Sequence, residues 1–259
     1  MTNAQIISAI TDFAPLSYQE SWDNSGVQVG CVDEECTGVM LCVDVTETVV
    51  DEAIDRGCSL IISHHPLLFR GLKSITGATA VERCVLKAIR HGLTIFSAHT
   101  CLDSARGGIS HTMAKMLGAT VERVLAPQAD PEIGLGVVAT LPHPMAATDF
   151  AALVRRTFNS PVCRTTTVPS DAISRIALCG GAGGEFIPAA ITSGAQAYIS
   201  SDTRYHDFVD HSNDIFLVDI GHFESENCAK SIFFDVIRKK FPNFAVYKSE
   251  LEKNPINYL

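Results

Sequence analysis

Gly38-Val39-Met40-Leu41-Cys42-Val43 and Leu60-Ile61-Ile62-Ser63-His64-His65-Pro66 are the two stretches that decide the fold of this chain. Each opens as an apolar run of strand length, without the polar alternation of a strand that has one wet face, so each reads as a buried strand. Between them Thr46 is placed to cap a helix running through Ala53 to Arg56, and Gly57 is placed to end it. That is a βαβ unit, and it points to α/β architecture.

The pattern continues in both directions. Upstream, Ile6, Ile7, Ile10 and Phe13 give a first helix its apolar face, and Pro15 stops it. Downstream, a helix carrying Val81, Cys84, Val85 and Ile89 ends at Gly92, before a strand at Leu93-Thr94-Ile95-Phe96, and another helix is expected near 107–117. The stretch Ala126-Pro127-Gln128-Ala129-Asp130-Pro131 has two prolines and no periodicity, which makes it the candidate junction between two halves, 1–126 and 127–259. The second half reads as strands over 133–141, 161–168, 173–179, 197–199 and 215–218. Helices are expected near 149–158, up to Ser193, from about Arg204, and over 229–240, the last stopping at Pro242 and packing back on the N-terminal half.

The halves echo one another. Arg56 to His65 and Ser193 to Asp202 share the order helix stop, strand, serine, polar pair, and His99 precedes Asp103 by four residues as His222 precedes Glu226. The expected fold class is therefore α/β, with two similar halves, largely parallel or mixed sheets flanked by helices, and a metal site in the cleft between them.

Composition narrows the function. With 259 residues and 46% hydrophobic content the chain can bury a sizeable core. No apolar run approaches the ~20 residues that span a bilayer, and no secretory leader is legible at Met1, so a cytoplasmic protein without membrane contact is expected. A net charge of -9 repels both extended nucleic acid and anionic lipid, while leaving a small anionic substrate open if a metal or an arginine cluster attracts it. The nine cysteines include no C-x-x-C pair and read as reduced, mostly buried thiols.

Three polar clusters follow three apolar runs: His64-His65, His99 to Asp103, and His222 to Glu226. Ligands of open α/β sheets gather beyond the carboxyl ends of strands, so the clusters point to one site. His222 and Glu226 share a helix face at i, i+4 spacing, and Asp103 adds a hard oxygen donor. In extended backbone His64 and His65 would face opposite ways, which suits two ions better than one. His64, His65, Asp103, His222 and Glu226 together match a dinuclear site for two divalent ions of Zn, Fe or Mn, and match calcium poorly. Taken singly, each histidine also reads as a structural hydrogen-bonding residue, and Asp103 as an Asx turn or helix cap. His99 and His206 are candidates to orient ligands or transfer protons. Arg70, Lys73, Arg106 and Arg204 are candidates to contact an anionic substrate, against solvated surface positions as their default. Gly180-Gly181-Ala182-Gly183-Gly184 reads equally as a close-approach turn or an anion loop, without the fingerprint of either a dinucleotide fold or a P-loop.

Glu20 to Gly30 with Trp22-Asp23-Asn24, Ser63-His64-His65-Pro66, Ala98-His99-Thr100 with Leu102-Asp103, the glycine loop, Tyr205-His206-Asp207 and Gly221-His222 with Glu226 occur in an order that resembles the Nif-three-like family of GTP cyclohydrolase type 2 homologues. The resemblance covers about residue 5 to residue 230. It implies a dinuclear metal site on His64, His65, Asp103, His222 and Glu226, two related halves, and a homo-oligomer in the form of a toroidal hexamer. It also implies that the extra domain of longer relatives is missing at 127–131. Three functions compete: a metal-dependent hydrolase of a nucleotide or related heterocycle, a non-catalytic or regulatory metal-binding protein acting through partners, and a metal-dependent phosphoesterase. The first predicts formate released from GTP, the second a co-purifying partner without turnover, and the third attack on phosphorus at a two-ion site.

Overall fold

Thr2 begins the first helix, α1 (Asn3–Phe13), by accepting from the Gln5 amide while the Gln5 side chain bonds back to the Thr2 amide. The computed structural model describes all 259 residues. After α1 come β1 (Gly26–Val29), β2 (Val39–Cys42), α2 (Glu47–Asp55), β3 (Leu60–Ser63), α3 (Ala80–Arg90), β4 (Thr94–Ser97) and α4 (Thr100–Ser104). Thr46 caps α2 and Thr79 caps α3, each accepting from the amide three residues on. Then follow α5 (Ile109–Met116), β5 (Thr120–Pro127), β6 (Gly134–Met145), α6 (Ala147–Thr157), β7 (Arg164–Thr165), β8 (Ile173–Ala182), α7 (Ile187–Thr192), β9 (Ala197–Ser201), α8 (Tyr205–Asp210), β10 (Phe216–Asp219) and α9 (His222–Glu226). The chain closes with α10 (Ala229–Lys240) and β11 (Val246–Lys248).

Two compact units result: Met1–Ala105 with Ala229–Pro255, and Arg106–Cys228 with Ile256–Leu259. The first holds a five-stranded sheet in the order β1-β4-β3-β2-β11, parallel except for the edge strand β1. All four residues of β2, β3 and β4 are buried, as their unbroken apolar runs require. On one face Met40, Ile61 and Ile95 pack with Val49, Val50 and Ala53 of α2 and Cys84, Val85 and Ala88 of α3. Full burial of each such aliphatic side chain is worth about 1.5–3 kcal/mol. The register places Cys42, Ser63 and Ser97 in one row, so Asp44, His64, His65 and His99 leave the sheet at the same edge.

The second unit holds a six-stranded mixed sheet, β5-β6-β8-β9-β10-β7, in which β8, β9 and β10 are parallel and the rest antiparallel. Its inner strands repeat the first sheet: β10-β9-β8 corresponds to β4-β3-β2, and the antiparallel edge strand β7 corresponds to β1. The connections match as well, with α7 and α8 standing for α2 and α3, and the five-residue α9 for α4. The sequence echo is thus a repeated topology.

The units do not divide at the 126/127 junction. After α4, the segment carrying α5 and β5 belongs to the second unit, and after α9 the segment carrying α10 and β11 belongs to the first. The proline-rich stretch is the turn of a hairpin in which Pro127 pairs with Gly134, so its lack of periodicity marks a turn and not a linker. The strand expected over 161–168 shrinks to β7, an edge strand with two paired residues, flanked by exposed Val162 and Val168. Ile89 is exposed in the last turn of α3, outside the buried stripe. Three strands, β1, β5 and β11, carry too many polar or short segments to be read locally. No helix is long and apolar enough to cross a membrane.

Candidate metal centre

In the first unit, β3 ends at Ser63 and the backbone bends at His64 and His65. The alternation expected of an extended chain therefore does not apply: the two rings lie 5.0 Å apart, with His99 5.3 and 5.4 Å from them. His64, His65 and His99 each offer a ring nitrogen, and these atoms lie within 4.8 Å of one another. The geometric reason for two ions disappears with the alternation. His99 thus belongs to a group of three imidazoles that could hold a metal ion.

Each ring is held by its Nδ1. His64, fully buried, has Nδ1 3.0 Å from the Ala98 carbonyl oxygen. His65 Nδ1 lies 2.8 Å from Asp44 Oδ1, and His99 Nδ1 lies 2.8 Å from Asp23 Oδ1. A carbonyl or carboxylate oxygen accepts only, so Nδ1 is the donor in every case, and in the neutral ring the lone pair is on Nε2. This is the outer arrangement that orients imidazoles on metals. Asp103, on α4, brings Oδ1 to 3.7 Å from His64 Nε2. It lies inside that helix, and the N-cap of α5 is Gly108, so Asp103 is not the cap of the helix near 107–117.

Asp23 is the anchor of the His99 side. Burial works to raise its pKa, but hydrogen bonds from His99, Thr100 and Ser25 outweigh it and hold the carboxyl well below the usual carboxylate range.

In the second unit, Gly221 (φ +90°) precedes α9, which sets His222 and Glu226 one turn apart, with Nε2 to Oε2 at 3.0 Å. His222 repeats the pattern, its Nδ1 2.8 Å from Asp202 Oδ2. Glu226 is buried, and the end of β8 runs directly over it: a Cβ on Gly181 would fall 2.2 Å from Glu226 Oε1, at a φ of +65°. Gly181 donates its amide to Ser225 Oγ at 2.9 Å, and Ser225 donates to the His222 carbonyl. A Cβ on Gly180 would meet Ile109, and one on Gly183 would meet Tyr198 and Ser200. The glycine loop is thus a close-approach device, and the amides of Gly180, Gly181 and Gly183 donate to the hydroxyls of Ser110, Ser225 and Ser200.

The remaining candidates stay outside these clusters. His206 and Arg204 are exposed on and before α8, His206 against the ring of Tyr205. Arg70 and Lys73 are exposed in the loop after His65, and Arg106 pairs at 3.6 Å with Glu132. Reading by residue type passed over Asp23, Asp44 and Asp202 as orienting groups. Asp44 and Asp202 follow β2 and β9 just as His64 and His99 follow β3 and β4, and that position was the available signal.

Imidazole nitrogens with a carboxylate form a donor set suited to borderline divalent ions such as Zn, Fe or Mn, and the buried group is able to hold a metal ion. Fold and side chains together define a two-unit α/β protein with histidine-carboxylate clusters at the ends of its parallel strands. The chain belongs to the DUF34/NIF3 family (NGG1p interacting factor 3), whose model matches residues 1–255. It is 34% identical over 223 residues to a GTP cyclohydrolase 1 type 2 homolog of Clostridium perfringens, covering 85% of each chain. To the protein of the same name in Campylobacter jejuni it is 30% identical over 260 residues, covering 100% of both. Its fold matches the crystal structure of the Staphylococcus aureus hypothetical protein SA1388 with a TM-score of 0.92 at 28% identity, covering 100% of this chain and 99% of that one.

Proposed function

We propose that His64, His65 and Asp103 of one unit and His222 and Glu226 of the other hold a pair of divalent cations in common, and that the protein is a metal-dependent hydrolase of a nucleotide or related heterocycle. The observation that carries this reading is the shared restraint on four imidazoles, each held through Nδ1 against a carbonyl or carboxylate oxygen, as metal-ligating imidazoles are held. The repeated topology supports it too, because it supplies two half-sets of ligands from equivalent strand ends. The names of the relatives from Clostridium perfringens and Campylobacter jejuni favour GTP as the first substrate to try.

A bound divalent ion supplies Lewis acidity and brings the pKa of coordinated water from ~16 toward ~7. The side chains do the rest. Asp23, Asp44 and Asp202 hold the rings through Nδ1, and His99 would accept at Nε2 the proton released by the attacking water and pass it to the departing nitrogen. Self-assembly into a toroidal hexamer is part of the same proposal and rests on the family resemblance.

The test is GTP incubated with protein reconstituted separately with Zn, Fe and Mn, scored for formate, alongside elemental analysis of gently purified material. Formate release that disappears in His65→Ala while the circular dichroism spectrum is kept supports the reading. A fully metallated protein inert toward nucleotides overturns it.

A further inference from the structure

Two large aromatic side chains stand in solvent beside the first cluster. Trp22 is 57% exposed and Phe69 48% exposed, although each is of a type that folding normally hides. Their ring centroids lie 6.1 Å apart, and those of Trp22 and His99 are also 6.1 Å apart, while Phe69 and His99 are separated by 6.2 Å. The three rings meet edge to face, and about half of the surface of Trp22 and of Phe69 stays open to solvent.

The loops that carry these rings are tied down. Asn24 Nδ2 donates to the Leu68 carbonyl at 2.8 Å, the Leu68 amide donates to Gln28 Oε1 at 3.1 Å, and Gln28 Nε2 donates back to the Asn24 carbonyl at 2.7 Å. Ser25 donates its amide to Gln19 Oε1, and Asp23, next to Trp22, is locked to His99 and Thr100. The side chains of Asn24 and Gln28 thus tie the first loop to the backbone of the second, and the pair of loops displays two aromatic rings beside an imidazole cluster. A surface that had only to be soluble would not need this. A planar ligand stacking there loses little conformational freedom, because the platform is already in place.

We infer that Trp22 and Phe69 form a stacking platform for the planar heterocycle of the substrate, a purine-type ring system, which they deliver edge-on to the His64-His65-His99 cluster. This rests on the reading of that cluster as the reaction site, and it adds the residues that select the substrate class.

Trp22 is the chain's one tryptophan, so its emission reports on the platform alone. Metal-loaded protein is titrated with guanosine and, in parallel, with ribose 5-phosphate, following tryptophan fluorescence and measuring binding by equilibrium dialysis. Guanosine is expected to quench the emission and ribose 5-phosphate to leave it unchanged. Trp22→Leu and Phe69→Leu are each expected to weaken guanosine binding about ten-fold at unchanged metal content, with Trp22→Phe recovering most of the loss. Three results overturn the inference: no binding of guanosine, binding that is equal in Trp22→Leu, or emission that follows subunit dissociation and ignores ligand, which would mean a second copy of the chain covers the rings. Guanosine that binds and quenches while GTP yields no formate leaves the platform standing and removes the hydrolase reading.

Discussion

Asp44 and Asp202 each stand 2.8 Å from the Nδ1 of a histidine proposed as a metal ligand, and they do so from equivalent places, after β2 and after β9. Both are about half exposed, so their removal should spare the fold and act on the ring they hold. Asp44→Ala and Asp202→Ala are each expected to lower metal affinity about 10- to 100-fold, read by competition with a coloured chelator, with little change in thermal stability. Affinity equal to that of the parent in both variants would mean that the imidazoles are oriented by packing alone. The histidines themselves were legible as residue types at the ends of apolar runs. Their carboxylate partners were not, because a side chain's hydrogen-bond partner lies on another strand, and only the register that aligns Cys42, Ser63 and Ser97 brings Asp44 to His65.

At the scale of the elements, the end of β8 and the short helix α9 are fitted to one another through Gly181. The left-handed φ and the 2.2 Å approach of a would-be Cβ to Glu226 Oε1 both exclude a side chain there. Gly181→Ala is expected to destabilise the protein by about 1–3 kcal/mol, measured by thermal or denaturant unfolding, and to displace the Glu226 carboxylate, with a loss of metal affinity. Gly184→Ala serves as the comparison, since its Cβ would come no nearer than 3.3 Å to Asp207 Oδ2. A Gly181 variant as stable as the Gly184 variant would contradict this account. Glycine content alone did not distinguish a phosphate cradle from a packing contact, because the difference lies in what the loop faces. The helices and buried strands were easier, since capping by Thr46 and four-residue apolar runs are properties of adjacent residues.

Across the whole molecule the notable feature is the exchange of segments between the repeated halves. The first unit is completed by α10, which packs on α1 and β2 and buries Ile232, Phe233 and Ile237, and by β11, which pairs with β2. Glu252 seals the join, accepting from the amides of Val43 and Asp44 at 2.8 and 2.7 Å and pairing with Lys230 at 2.7 Å. A fragment of residues 1–126 therefore lacks part of its own core. Expressed alone it should fail to give a cooperative unfolding transition, and co-expression with 127–259 should restore one, as seen by calorimetry of the purified pair. An isolated 1–126 fragment that unfolds cooperatively would show that the exchanged segments are dispensable.

By itself the sequence determined the α/β class, most of the helices and buried strands, the echo between the halves and the histidine and carboxylate residues that end the strands, because each of these is written in neighbouring residues through periodicity, caps and stops. Tertiary structure alone decided the rest: the bend that turns His64 and His65 toward one another, the carboxylates that hold the imidazoles, the role of the glycines and the assignment of α5, β5, α10 and β11 to units other than those of their sequence neighbours. All of these depend on contacts between segments far apart in the chain, set by sheet register and side-chain packing, to which local pattern is blind.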